Sequence, residues 1–221
     1  SGADLSGADL RFADLTNAVL RDADLNDANL VSARLVDYAD FSDADLRGAD
    51  LRDAYLARAN LSDTDFHSAN LNDAFIIYCD MSGANLSGTD LRDAEVIEVN
   101  LSDADLSGAD LSGADLSSSR LNDADLSDAD LSGVDLDYTE LKNTQLTYKT
   151  LKTAGLTSLS KSDITDANIT ATLEELQEIA VDYHSILSSN NTLTISNSDQ
   201  LTNADIVALE YLTNATVIDR I

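Results

Sequence analysis

The sequence predicts an all-β solenoid, a chain wound into stacked, short-sided coils, and three observations carry that prediction. The first is a period of five. Leu or another apolar residue recurs every five positions from Leu5 to Leu35 and, after one extra residue, from Phe41 to Leu156, giving 31 units of which 26 centre on Leu. The second lies just before each centre: Ala stands two positions earlier in 22 units, and between the two comes Asp or Glu in 18 units and Asn in five. The third lies just after it, where Ser-Gly, Ser-Asp, Arg-Asp and Asn-Asp predominate, all of them turn formers.

A small residue, a polar one and a Leu in succession alternate in, out and in, as in an extended segment. The next two residues turn a corner. A period of five fits neither the 3.6 of a helix nor the 2 of a long strand, so a short side and a corner, repeated, wind the chain into a coil. Leu fills the interior, Ala leaves room for it, and backbone groups pair with the coils above and below, about 4.8 Å away. The extra residue near 36–40 predicts a bulge at a corner close to Tyr38. Lys149 falls on an inward small-residue position, where a buried ammonium is unfavourable. Regular coiling is therefore expected to end between about Leu146 and Leu156, giving a coiled region over 1–156 and an irregular transition over 157–171, around Ile164 and Ile169.

The motif (A)(D/N)(L)XX resembles that of the pentapeptide-repeat family, and roughly 155 of the 221 positions carry it. The resemblance implies a right-handed, four-sided (quadrilateral) β-helix with four five-residue units per coil. At the sheet spacing, just under eight such coils span roughly 37 Å. Members occur most heavily in bacteria, especially cyanobacteria.

Residues 172–221 read differently. Thr172 and Glu175 have capping-box spacing, and Leu173, Leu176, Ala180, Tyr183 and Leu187 form a helical stripe. Thr192–Ser196 alternates as a strand, Thr202–Leu212 reads as a second helix, and Thr216–Ile221 as a second strand. This small α/β unit either caps the solenoid, whose end exposes apolar interior and unpaired edges, or begins a further domain. The chain opens at Ser1 with the repeat already in phase at Ala3, which reads as a fragment or processed form.

The formal net charge is −28, which opposes contact with nucleic acid or anionic membrane and permits basic partners. No apolar run approaches the roughly 18 residues a membrane span needs. A single cysteine excludes an intrachain disulfide. Catalytic constellations are missing too: the two histidines, His67 and His184, lie in different regions, and no glycine-rich phosphate loop follows a strand. Cys79 occupies an inward position beside Met81 and reads as core. No cofactor is implied. Stacking by whole coils aligns Asp40, Asn60, Asp80, Asn100, Arg120 and Glu140, and separately Asp45, Asp65, Asn85, Asp105 and Asp125. The second column reads as solvated carboxylates, with bridging Ca2+ as the lesser alternative.

The departure that points to a site is local. Tyr55 and Phe75 replace the outward Asp or Asn and are spaced by one implied coil, so they should stack. Ile77 and Ile97 are outward with the same spacing, and Tyr78 follows, with Arg58 beneath and Glu98 above. Grouped exposed aromatics mark an interface, although a ladder that only ties coils together would look similar. Two functions follow. One is a non-catalytic binding or scaffold module that contacts a protein partner or its own copy through Tyr55, Arg58, Phe75, Ile77, Tyr78 and Ile97. The other is implied by the family resemblance: some members mimic B-form DNA and bind DNA gyrase. Residues 1–156 carry a net −20, against about 22 phosphate charges on the same length of duplex.

Overall fold

Leu46 to Ala49 show how one corner is made. The Ala49 amide donates to the Leu46 carbonyl at 3.1 Å, and between them Gly48 takes φ +65°, the positive φ that a type II turn requires at its third residue. The Gly48 amide is then free to donate to the His67 carbonyl of the next coil at 3.0 Å. On the side before this corner, the Asp65 amide donates to Ala44 at 2.9 Å and the Leu46 amide to Asp65 at 2.7 Å, a parallel bridge one residue wide. The chain needs only one hydrogen-bonded residue per side because the corner bonds tie the rest.

The computed structural model describes residues 2–159, 167–171, 192–195 and 216–219. Bridges recur at every unit and join each outward residue to the one four units later, from Asp40↔Asn60 to Asp125↔Gln145, so each coil has four sides. The outward residues form four faces. Asp40, Asn60, Asp80, Asn100, Arg120 and Glu140 lie on the first, and Asp45 through Gln145 on the second. Asp50, Asn70, Asp90, Asp110 and Asp130 lie on the third, and Arg34, Tyr55, Phe75, Glu95, Asp115 and Asp135 on the fourth. On the fourth face the pairing lengthens into two short strands, β1 (Phe75–Ile77) and β2 (Glu95–Ile97), parallel with Phe75 opposite Glu95 and Ile77 opposite Ile97.

Inside, the Leu positions from Leu25 to Leu146 are buried, with Phe41, Phe66, Ile76, Met81 and Val96 taking their turn in the same columns. At four of the five inward Thr or Ser positions from 64 to 144 the hydroxyl donates to a carbonyl of the preceding coil: Thr64 to Phe41 at 2.9 Å, Thr89 to Phe66 at 3.0 Å, Ser119 to Val96 at 2.7 Å and Thr139 to Leu116 at 3.0 Å, while Thr144 turns back to Leu141. Three of these carbonyls, those of Phe41, Phe66 and Leu116, also accept a corner amide, so the hydroxyl occupies the second lone pair. The extra residue is absorbed at Asp37 and Tyr38, two successive residues with φ +52° and +69°. Both amides still reach the next coil, at 3.1 and 3.2 Å, and the bridges that span the insertion lengthen by one position, as in Val19↔Asp40.

The coil ends earlier than Leu156. After β3 (Gln145–Thr147) the chain enters helix α1 (Tyr148–Leu159), so the five-residue reading over Leu151 and Leu156 is corrected. The physical reason lies at Lys149: a further coil would turn it inward, whereas the helix turns it outward while burying Thr150, Leu151 and Ala154. The Lys149 Nζ donates to the Asp128 carbonyl at 2.8 Å. Within the transition read over 157–171, residues 168–171 form a strand, β4 (Asn168–Ala171), parallel to β3 with Ile169 buried opposite Leu146, and 160–166 lie outside the described residues. Strands β5 (Thr192–Ile195) and β6 (Thr216–Asp219) follow in parallel, so the second face continues upward through Gln145, Asn168, Thr192 and Thr216, each opposite the next. The helices read over 172–187 and 202–212 lie outside the described residues.

Candidate interaction surface

The register of the fourth face brings the outward aromatics together. The Tyr55↔Phe75 bridge sets their Cβ atoms one coil apart, and the rings stack with centroids 4.7 Å apart and planes 6° from parallel. Ile77 and Ile97 pair one step nearer the corner, half-buried. At the corner itself the Tyr78 amide donates to Ile97 at 3.1 Å and the Arg58 amide to Ile77 at 2.9 Å, which stacks Arg58 and Tyr78 between the fourth and first faces. Tyr55 remains 43% exposed and Tyr78 54%. All six residues singled out in the sequence thus lie on one stretch of surface.

Sequence reasoning missed a seventh. Tyr38, 76% exposed, stands on the same corner one coil below Arg58 and lines an open hollow of about 640 Å³ with Asp40, Arg58, Asn60, Tyr78 and Asp80. A smaller hollow of about 280 Å³ adjoins it, lined by Tyr78, Asp80, Glu98, Asn100 and Arg120 among others. The signal was present in the even spacing of Tyr38, Arg58 and Tyr78, but it is visible only once the insertion is placed before Tyr38.

This corner is also conformationally unusual. The second corner residue takes a positive φ throughout the array, which suits Gly, Asn and Asp. Six larger side chains adopt it: Phe12, Tyr38, Arg58, Tyr78, Glu98 and Tyr138. Five of these six, all but Phe12, share the one corner column, interrupted only by Ser118. A left-handed conformation costs a non-glycine residue about 1–2 kcal/mol, and such strain gathers where a protein contacts something.

The electrostatics separate paired from unpaired acids. In Asp-Leu-Arg triplets the guanidinium folds back onto the carboxylate two residues earlier: Arg47 on Asp45 at 2.5 Å, Arg52 on Asp50 at 2.7 Å and Arg92 on Asp90 at 2.6 Å. These hydrogen bonds hold the three carboxyls below the usual range. Arg11 does the same for exposed Asp9, lowered to about 2. Around the stripe, by contrast, no cation lies within 4 Å of Asp80, Glu95 or Glu98 among the described residues. Arg58 has Asp37 at 4.0 Å.

The remaining chemistry-bearing groups are structural in geometry. Burial pushes the Cys79 thiol up to about 11, and its sulfur lies against the Leu56 carbonyl. His67 Nδ1 meets the Ser87 hydroxyl at 2.9 Å on the exposed second face. Among the described residues no three His, Cys, Asp or Glu side chains converge as metal ligands, the Asp45–Asp125 column included. His184 lies outside the described residues.

A family model for pentapeptide repeats matches in eight copies, over residues 1–37, 39–75, 79–117 and 114–147. The chain belongs to the pentapeptide-repeat family. Members of this family are β-helices and generally serve as structural or binding modules. Similar solved structures include HetL, a pentapeptide-repeat protein involved in heterocyst differentiation regulation in the cyanobacterium Nostoc sp. strain PCC 7120. It is 32% identical over 76% of this chain and 83% of its own, with a TM-score of 0.45. QnrB1, a plasmid-mediated fluoroquinolone resistance protein, is 18% identical over 98% of this chain and 86% of its own, TM-score 0.40. Rfr23 of the cyanobacterium Cyanothece 51142 is 24% identical over 60% of this chain and 87% of its own, TM-score 0.24. No curated protein matches the sequence significantly.

Proposed function

We propose that this pentapeptide-repeat protein is a non-catalytic protein-binding module. Its right-handed quadrilateral coil and C-terminal α/β unit serve as a rigid scaffold for the stripe of Tyr55, Arg58, Phe75, Ile77, Tyr78 and Ile97. The Tyr55–Phe75 stack carries the reading: two rings sit where this array mostly places carboxylates and amides, and they remain accessible. The coil-tying role of the stack does not account for Tyr78 and Tyr38, which are more exposed still and sit on a strained corner.

The test is affinity capture from an extract of the source organism, comparing the wild type with a Phe75→Asp/Ile77→Asp variant of unchanged circular dichroism. A partner retained by the first and lost by the second is expected; identical captures by both would defeat the reading. DNA mimicry is the second reading, favoured by the dense acids of coils 101–140. A gyrase supercoiling assay decides it, and no inhibition at micromolar protein removes it.

A further inference from the structure

The stripe's role as a contact surface is the premise here; what occupies it is the new step. We propose that the corner from Tyr38 to Arg120 receives an extended, Lys- or Arg-bearing segment of a partner protein, whose apolar side chains rest on Tyr55, Phe75, Ile77 and Ile97.

Shape gives the first argument. The two hollows share Tyr78 and Asp80, so together they run along the solenoid axis from Tyr38 to Arg120. That is four coil steps, or about 19 Å, the reach of roughly six extended residues at about 3.3 Å each. A compact ligand would use one hollow; a strand-like segment uses both. Conformation gives the second argument. The bulky positive-φ residues Tyr38, Arg58, Tyr78 and Glu98 border these hollows, on a corner where Gly or Asp would sit without strain.

Charge chooses the occupant. Asp40, Asp80, Glu95 and Glu98 rim the stripe and its hollows, the last three without a cation within 4 Å among the described residues, against Arg58 at the centre, which faces Asp37, Arg34 opposite Tyr55, and Arg120 at the end of the smaller hollow. The chain as a whole carries −28. A second copy would bring the same acid-rich surface and the same net −28 to the contact, which opposes self-docking. A basic segment would pair with these carboxylates and place its apolar residues between.

The test uses the full chain and two acetylated hexapeptides, one alternating Arg with Trp and one alternating Glu with Trp. The protein has no tryptophan, so peptide fluorescence reports binding alone. Saturable binding of the Arg peptide and none of the Glu peptide is expected. Tyr78→Gly should weaken it at least tenfold while the thermal midpoint holds or rises, because glycine takes the corner conformation without strain. Phe75→Asp adds a carboxylate, so attraction by net charge alone predicts tighter binding; seating on the stripe predicts at least tenfold weaker binding. Arg-peptide binding that ignores both variants overturns the proposal, as does equal binding of the Glu peptide or binding of neither. If light scattering shows a wild-type dimer that Phe75→Asp makes monomeric, the stripe remains a contact surface but its occupant is a second copy, and the proposal falls.

Discussion

Coils 41–100 and coils 101–140 share one backbone and differ in what they show to solvent. The first three coils carry 12 acids against four arginines, whereas the next two carry 11 acids against one arginine, Arg120. The apolar stripe lies wholly in the first region. Opposed aspartates occur in both, but their surroundings differ. Arg47 spans Asp45 and Asp65, and Arg92 spans Asp90 and Asp110. Asp105↔Asp125 and Asp115↔Asp135, in the second region, have no cation within 4 Å among the described residues. Identical bridges and buried Leu columns run through both regions. Inward residues therefore specify the coil, and the outward column is left to vary with function.

The largest way to break that statement is in the core. Leu71→Ala in the first region and Leu111→Ala in the second both empty fully buried positions of the same column. Each should cost about 2–5 kcal/mol by the cavity it leaves, measured by denaturant unfolding. Equal costs would show that the interior ignores the surface difference. A much smaller cost for Leu111→Ala would mean that the acid-dense coils are already loosened.

The coil was legible in the sequence because every inward position repeats the same demand at the same spacing. Its end was not. Leu151 and Leu156 keep the five-residue beat, but a helix also buries Leu151 together with Ala154 three residues on, so the Leu spacing alone is ambiguous. Lys149 was the usable signal, since only a helix turns it outward here. The stripe was legible through Phe75 and Tyr55 for a related reason: a fixed coil length converts sequence distance into contact. Tyr38 keeps the column spacing to Arg58 but stands beside the inserted residue, so in sequence it reads as part of the bulge, and the strained corner conformation has no signature beyond a bulky residue where Gly or Asp is usual.

Acid should separate the two regions more gently. The lowered carboxyls Asp45, Asp50 and Asp90 owe their shift first to hydrogen bonds from Arg47, Arg52 and Arg92. A depressed folded value means that their contribution is present above the ordinary carboxyl range and lost as pH falls below it, through the lowered values. Coils 41–100 should therefore lose amide-exchange protection as the pH falls below the ordinary carboxyl range, about 4. Exchange measured at pH 5 and pH 3 should show protection shifting toward the second region, and a uniform change along the array would refute the contrast.

The smallest effect is the most local. In the first region Asn breaks the carboxylate columns, and its amide donates to the carboxylate one coil earlier: Asn60 to Asp40 at 3.2 Å, Asn85 to Asp65 at 2.9 Å and Asn100 to Asp80 at 3.0 Å. Asp125 stands directly opposite Asp105 without such a donor. Asp125→Asn should supply it, while the side-chain oxygen keeps accepting from the Ser127 amide, now at 2.8 Å. Replacing repulsion by a hydrogen bond on an exposed sheet face is worth about 0.5 kcal/mol, a rise of a degree or two in the thermal midpoint that shrinks in high salt. The reverse change, Asn85→Asp, should lower the midpoint by a similar amount. If both are neutral at low salt, the carboxylates are too well hydrated to repel, and the uneven charge of the two regions has to be explained by what they bind.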